Sequence, residues 1–223
     1  MAHLETYEQF VRYLEAVGFM TLSGCPLGMP GLSELTVPDQ WHTGLDTDPW
    51  QWKTRVVLER RAAYAKLFFR QPAFITAEWY PFFLAVRRGR RSFEDAWEEG
   101  SMSTEARRIH ELFGSRSVLA LHEIKRLGGF AGKSGGKFES AMTALQTSMF
   151  LTVSGMTRMT TMDGRPHSWP VTEFMPVEGW AWKGTVEQAR LTPVDEAVNR
   201  IRSKIIEVSP EASRAKIGKL IQG

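Results

Sequence analysis

The order of secondary-structure signals between residues 103 and 174 constrains the fold more than any other feature. Apolar residues recur at helical spacing in three segments, 103–113, 117–127 and 137–149. The stretch FLTVSGMTRMTTMDGRPHSWPVTEF, residues 150–174, follows, and its two strand-like runs flank Asp163-Gly164. Asp-Gly is a strong hairpin signal because a type I′ turn needs positive φ at both central residues. Three helices followed by a hairpin is the element order of a winged-helix domain, with 150–174 as its wing.

The residues on either side of this module predict further helices. Tyr7, Phe10, Val11, Leu14 and Val17 lie at helical spacing, and Gly18 follows as a stop. A second helix is predicted over 50–69, with Pro49 at its entrance. The last forty residues show two amphipathic helices. We therefore expect an α+β fold, mostly helical, with either one winged-helix unit or two in tandem.

The same pattern predicts three consecutive domains. Residues 1–98 form an N-terminal helical block that is itself a candidate winged-helix unit. Residues 99–185 form the winged-helix unit that carries the wing. Residues 186–223 form a helical tail whose apolar stripes pack on the core or on a second copy of the chain.

Composition excludes several classes of protein. The single cysteine, Cys25, rules out an internal disulfide and any thiolate-rich metal site. His110 and His122 lack matching acidic or thiolate ligands, so no metal is expected, and no glycine-rich phosphate loop suggests a cofactor. Neither a membrane span nor a signal peptide is visible, so we expect a cytoplasmic protein. The net charge of +3 permits nucleic acid as a partner without requiring it.

A block of arginines lies directly before a block of carboxylates. Arg87, Arg88, Arg90 and Arg91 precede Glu94, Asp95, Glu98 and Glu99. One interpretation is mutual neutralisation on a solvated surface, where charge pairs contribute little. The alternative is an arginine cluster that contacts phosphate.

Basic residues near the third helix and the hairpin tip are candidates for binding duplex DNA. They are Lys133, Lys137, Arg158, Arg165 and His167. Ammonium and amide groups at a helix entrance favour a phosphate. The third helix itself offers no arginine for a guanine edge, so contact with the backbone is expected rather than recognition of bases. Helical modules of this size also serve as structural or dimerising units, and that alternative stays open.

Several segments together resemble uncharacterised bacterial proteins related to the AlkZ-type winged-helix DNA glycosylases. They are WQWKTRVVLERRAAYAKLFF, RIHELFG, SVLALHEIK and the helix with hairpin LQTSMFLTVSGMTRMTTMDGRPHSWPVTEF, and the resemblance covers about residues 5 to 185. It implies tandem winged-helix units framing a concave basic surface. It also implies a Gln-x-Gln or Gln-x-Asp motif that positions water to hydrolyse the N-glycosidic bond of an alkylated or cross-linked base.

The segment that best matches this motif is Gln40-Trp41-His42. Histidine stands where the motif has glutamine or aspartate, and imidazole cannot stabilise an oxocarbenium ion as a carboxylate does, although it can act as a base on water. Asp48 lies close by and supplies a candidate carboxylate. Trp41, Trp50 and Trp52 are candidates for stacking on an extruded base. The alternative is a turn with Asx hydrogen bonds before a helix, with the tryptophans as core anchors.

Three functions therefore remain open. The first is a winged-helix protein that binds duplex DNA through its backbone. The second is an active, monofunctional DNA glycosylase that needs no cofactor. The third is a non-catalytic interaction module that forms a homodimer.

Overall fold

The computed structural model describes residues 3–130, 135–157 and 170–223. Within these ranges the chain forms eleven α-helices and two antiparallel sheets of three strands each, and about half of it is helical. The expected α+β class is therefore confirmed. Internal packing divides the chain into two compact units, Met1–Arg90 with Ala181–Gly223, and Arg91–Trp180. The division into 1–98, 99–185 and 186–223 stays a prediction.

The first unit begins with helix α1 (Tyr7–Val17), as its spacing predicts. Thr6 caps the helix: its side chain accepts a hydrogen bond from the Gln9 N–H, and the Gln9 Oε1 accepts one from the Thr6 N–H. Gly18 ends the helix at a φ of 83°. A Cβ there would lie 2.4 Å from the Trp79 ring, so the position requires glycine for space as well as for conformation.

The first sheet is built from a short strand and a tight hairpin. Its elements in chain order are β1 (Phe19–Thr21), two 3₁₀ turns (Leu32–Glu34 and Pro38–Gln40), α2 (Pro49–Leu58), β2 (Ala62–Phe68) and β3 (Gln71–Thr76). The strands lie in the order β1–β3–β2, all antiparallel. The irregular segment and α2 thus connect the outer strand β1 to the hairpin.

The prediction of a helix over residues 50–69 is wrong beyond Leu58, where α2 ends. Arg60 adopts a φ of 53°, and the Arg61 N–H bonds to the Val56 carbonyl, so the chain leaves the helix there. The following strand β2 is buried on both faces along most of its length. A strand of this kind does not alternate apolar and polar residues, so its pattern cannot be told from a buried helix. Helix α3 (Tyr80–Arg87) then follows β3.

The second unit repeats the kinds of element predicted for 103–174. They are α4 (Phe93–Glu98), α5 (Thr104–Glu111), β4 (Leu119–Ala120), α6 (Leu121–Leu127), α7 (Gly135–Thr147), β5 (Leu151–Thr157), β6 (Val171–Pro176) and α8 (Val177–Trp180). Helices α5 and α7 confirm two of the predicted helices. Helix α6 starts later than predicted because Leu119 and Ala120 pair with β6 instead.

The hairpin of the second unit is antiparallel, as predicted, with Thr157 opposite Val171. Strand β4 lies on the far side of β6, which gives the order β4–β6–β5. The expected turn at Asp163-Gly164 lies outside the described residues.

Both units therefore share one topology. In each, a helix leads into a short strand, helical segments follow, and an antiparallel hairpin comes last. In each, the short strand pairs with the second strand of the hairpin. The first unit has 3₁₀ turns where the second unit has α6.

The tail joins the first unit through three helices, α9 (Thr185–Leu191), α10 (Val194–Val208) and α11 (Arg214–Gln222). Ala197, Ile201 and Ile205 are fully buried on one face of α10, which packs on α3. Arg87, at the end of α3, is 6% exposed and donates to the carbonyls of Leu220 and Ile221. The interpretation of the arginine block as a solvated surface is wrong for Arg87 and Arg88, because both side chains are buried. Arg91, in contrast, is exposed and pairs with Glu99.

Candidate functional site

Asp48 organises the loop that carries the predicted catalytic residues. It is the N-cap of α2 and is fully buried. Its carboxylate accepts hydrogen bonds from the backbone N–H groups of His42 (3.0 Å), Gly44 (2.9 Å) and Trp50 (2.8 Å). An N-cap acceptor favours aspartate because it satisfies amides that lack a partner inside the helix. Both oxygens therefore have N–H partners within the protein.

His42 is held by this carboxylate and extends towards solvent. Its φ is 64°, an uncommon value for a residue with a side chain, and the bond from its N–H to Asp48 helps to fix that conformation. The side chain is exposed, and its ring centroid lies 4.7 Å from that of Trp50. The structure thus brings His42 and Asp48 together through a hydrogen bond from the His42 backbone N–H to the Asp48 side chain.

Gln40 ends the 3₁₀ turn just before this loop. Its Oε1 is buried and has no hydrogen-bond partner among the described residues. A buried amide oxygen without a partner costs free energy, so such an atom marks a place where an additional donor is favoured. In this conformation the atom is closed to solvent, so a water reaches it only when the loop opens.

The three tryptophans have different environments. The Trp52 indole is 1% exposed, donates to the Asp46 carbonyl and stacks on Phe10 with centroids 6.0 Å apart. Trp41 is half-buried and donates to the Thr36 hydroxyl. Trp50 is half-buried beside His42. Trp52 is thus packed as a core anchor, while Trp41 and Trp50 retain exposed ring surface.

A residue that the sequence did not single out lies against Trp50. Lys53 is 4% exposed, and its Nζ lies 3.5 Å from the centroid of the Trp50 ring and 5.9 Å from that of Tyr64. Burial lowers the pKa of Lys53 to about 8. The signal in the sequence is positional: Lys53 lies between Trp52 and Val56 on the buried stripe of α2. A lysine on an apolar stripe is unusual because its charge must be desolvated.

Of the predicted DNA-binding residues, Lys137 is the one that the structure describes. It lies in the first turn of α7, its side chain is 77% exposed, and its Nζ is 3.5 Å from Glu105. Exposed pairs of this kind contribute little, so a phosphate can compete for the ammonium. Lys133, Arg158, Arg165 and His167 lie outside the described residues.

The described ranges contain no cluster of ligands able to hold a metal ion. None of the helices seen in these ranges has the length and apolar character needed to cross a bilayer. His110 stacks on Phe93 with centroids 3.9 Å apart.

Comparison with known proteins identifies one relationship. A protein-family model described as "AlkZ related" matches residues 4–222, nearly the whole chain. No curated protein and no solved structure matches the chain.

Proposed function

The chain belongs to the AlkZ-related family, and from this premise we propose that it is a winged-helix protein that binds duplex DNA mainly through the sugar-phosphate backbone. The observation that carries the proposal is the topology of the second unit. Helix α5, strand β4, helices α6 and α7 and the β5–β6 hairpin follow one another, and β4 pairs with β6. This is the order expected of a winged helix, with α7 as the helix presented to the groove.

The first unit supports a second winged helix in tandem. Its sheet has the same strand order, and α2 takes the place of α7 directly before the hairpin. The β2–β3 hairpin is closed by two residues, Phe69 and Arg70, so it projects no long wing. Contact through a wing is therefore proposed for the second unit alone.

The distribution of side chains favours the backbone over the bases. The exposed positions described at the start of α7 include Lys137, Glu139 and Ser140, and the helix has no arginine to pair with a guanine edge. Lys133, Lys137, Arg158, Arg165 and His167 supply the groups for phosphate in this proposal. Contacts of this type position a protein on duplex DNA without selecting a sequence.

The test compares two variants with the same loss of charge. One replaces Lys133, Lys137, Arg158 and Arg165 by alanine. The other replaces exposed basic residues of the tail, Arg190, Arg202, Lys216 and Lys219. We expect the first variant to bind labelled duplex at least about tenfold more weakly than the second. Equal affinities of the two variants would contradict the proposed surface.

A second candidate function is hydrolysis of the N-glycosidic bond of an alkylated base, and the buried Oε1 of Gln40 favours it. In this mechanism Gln40 positions a water, His42 acts as the base, and Asp48 holds the loop that carries both. Trp41 and Trp50 stack on the extruded base. Trp52 stays in the core, stacked on Phe10, and is not part of this base site.

The glycosylase mechanism is tested with duplex carrying N7- or N3-alkylated purines. We expect the wild-type protein to produce abasic sites, and Gln40→Ala to slow their formation by about a hundredfold. Gln51→Ala is the control, since Gln51 is exposed on α2. A wild-type protein that leaves the damaged base in place rejects the glycosylase mechanism and leaves the proposal of DNA binding intact.

A further inference from the structure

Lys53 is a buried ammonium group beside two aromatic rings. Its Nζ contacts the Trp50 ring at 3.5 Å and lies 5.9 Å from the Tyr64 ring centroid, and no carboxylate pairs with it in the described part of the chain. Desolvating a charge without an ion pair is costly, and a cation–π contact offsets only part of that cost. The cap that Asp48 provides for α2 does not need a cation at position 53, so the stability of the helix does not account for the buried lysine.

We propose that Lys53 is a nucleophilic amine that forms an imine with the aldehyde of an abasic deoxyribose in DNA. This inference rests on the proposed function, because the protein must first bind duplex DNA. The imine would bind the protein covalently and reversibly to the DNA site that has lost its base.

Lys53 lies beside the candidate catalytic loop, and because it is 4% exposed the sugar reaches its Nζ only when the Trp50 ring moves aside. Trp50 contacts both the Lys53 ammonium and the His42 ring, so the amine belongs to the same cluster as the Gln40–His42 segment. Release of a base leaves C1′ of the sugar as an aldehyde in the ring-opened form. The atom that would react with Lys53 is therefore the atom that the proposed hydrolysis leaves behind.

Burial also supplies the reactive form of the amine. The neutral amine is the nucleophile, and apolar surroundings favour it over the ammonium. Since burial lowers the pKa of Lys53 to about 8, roughly a quarter of the molecules carry the neutral amine at about pH 7.5. An exposed lysine is neutral in about one molecule in a thousand at that pH.

The reaction is a balanced condensation. The Nζ lone pair forms a bond to C1′, and the aldehyde oxygen becomes the hydroxyl of a carbinolamine. That oxygen then leaves as water with the two protons that Nζ carried. A C=N bond replaces the C=O bond, and water reverses the reaction. No oxidant or reductant takes part.

The experiment traps the imine with borohydride, which the experimenter adds as the reductant. Wild-type protein is mixed with a duplex that contains one abasic site, reduced, and run on a denaturing gel. We expect a covalent protein–DNA band, and peptide mapping should place the modified residue at Lys53. Lys53→Arg and Lys53→Met should each lower the yield at least about twentyfold, because neither side chain offers a primary amine.

Lys204→Arg is the matched control, since the Lys204 side chain is also largely buried, at 14% exposed, but pairs with Glu207. Its adduct yield should equal that of the wild type. A band of undiminished intensity from Lys53→Arg, or a map that places the modification elsewhere, overturns the proposal. Binding of the same duplex is measured in parallel by anisotropy. A wild-type protein that binds the duplex but gives no band rejects Lys53 alone, whereas a protein that does not bind rejects the proposed function as well.

Discussion

At the scale of single residues, the capping role of Asp48 could be predicted from the sequence, whereas the burial of Lys53 could not. Asp48 precedes a proline-led helix, so its side chain was predictable as a possible Asx acceptor, and the three N–H groups that it binds agree with that alternative. The position of Lys53 on an apolar stripe is visible in the sequence, but the depth of its burial is not, because that depth depends on what packs against the helix. The missing hydrogen-bond partner of the Gln40 Oε1 is likewise apparent only in the folded structure, because folding buries that atom.

Removing the Asp48 carboxylate should loosen the candidate loop. Asp48→Ala leaves three backbone N–H groups without their acceptor, and the expected loss is about 2 kcal/mol in the free energy of unfolding. Asp48→Asn should lose less, because its amide oxygen still caps α2. Urea denaturation of both variants measures the difference. A stability of Asp48→Ala equal to that of the wild type would show that the cap does not hold the loop.

Lys53→Met should stabilise the protein at pH 7, by about 1 to 2 kcal/mol, because it removes a desolvated charge and keeps the volume. The size of this stabilisation depends on pH. The pKa of Lys53 is lowered in the folded state, to about 8, so the unfolded chain binds more protons between about pH 8 and 10.4. Wild-type stability therefore rises through that window relative to the variant, and the difference shrinks.

This dependence is measured by denaturation of both proteins at several pH values. An advantage of Lys53→Met that stays constant up to pH 10 would contradict a lowered pKa in the folded protein. A variant that is less stable than the wild type at pH 7 would show that the cation–π contacts outweigh desolvation.

At the scale of elements, the two hairpins explain why one unit was predicted better than the other. The strands of the second hairpin were recognised because they flank an Asp-Gly pair. The β2–β3 hairpin turns at Phe69 and Arg70, with φ values of 51° and 61°. Such angles favour asparagine or glycine, so neither residue signals a turn. Without that signal, the apolar pattern of the buried strand β2 predicts a continuation of α2.

The buried Arg87 provides a test of how the tail is attached. Its donors satisfy two carbonyls near the C-terminal end of α11, where the helix dipole also favours a cation. Arg87→Met should destabilise the protein by about 2 kcal/mol and speed amide exchange in α11 more than elsewhere. Arg214→Met is the control, because Arg214 is exposed at the start of α11, and it should change stability by less than about 0.5 kcal/mol. Equal effects of the two variants would reject the role of Arg87.

At the scale of the whole molecule, the repeated topology and the family membership favour DNA binding over dimerisation. Ile201 and Ile205, on the apolar stripe of α10, are fully buried within the first unit, so this stripe is not available to a second copy of the chain. Exposed apolar side chains of the tail are Leu191, Val194 and Ile206. A homodimer formed through the tail would use these side chains, and sedimentation would then show a wild-type dimer that Leu191→Ser with Val194→Ser converts to a monomer; we expect the wild type to sediment as a monomer.

The salt dependence of duplex binding tests the central proposal most directly. Labelled duplexes of two unrelated sequences are titrated with the wild-type protein from about 50 to 200 mM salt. Release of counterions from several phosphates predicts that log K falls with log salt with a slope of about −3 or steeper, and that the two sequences bind alike. An affinity that does not change with salt, or no binding at the lowest salt, would contradict the proposal.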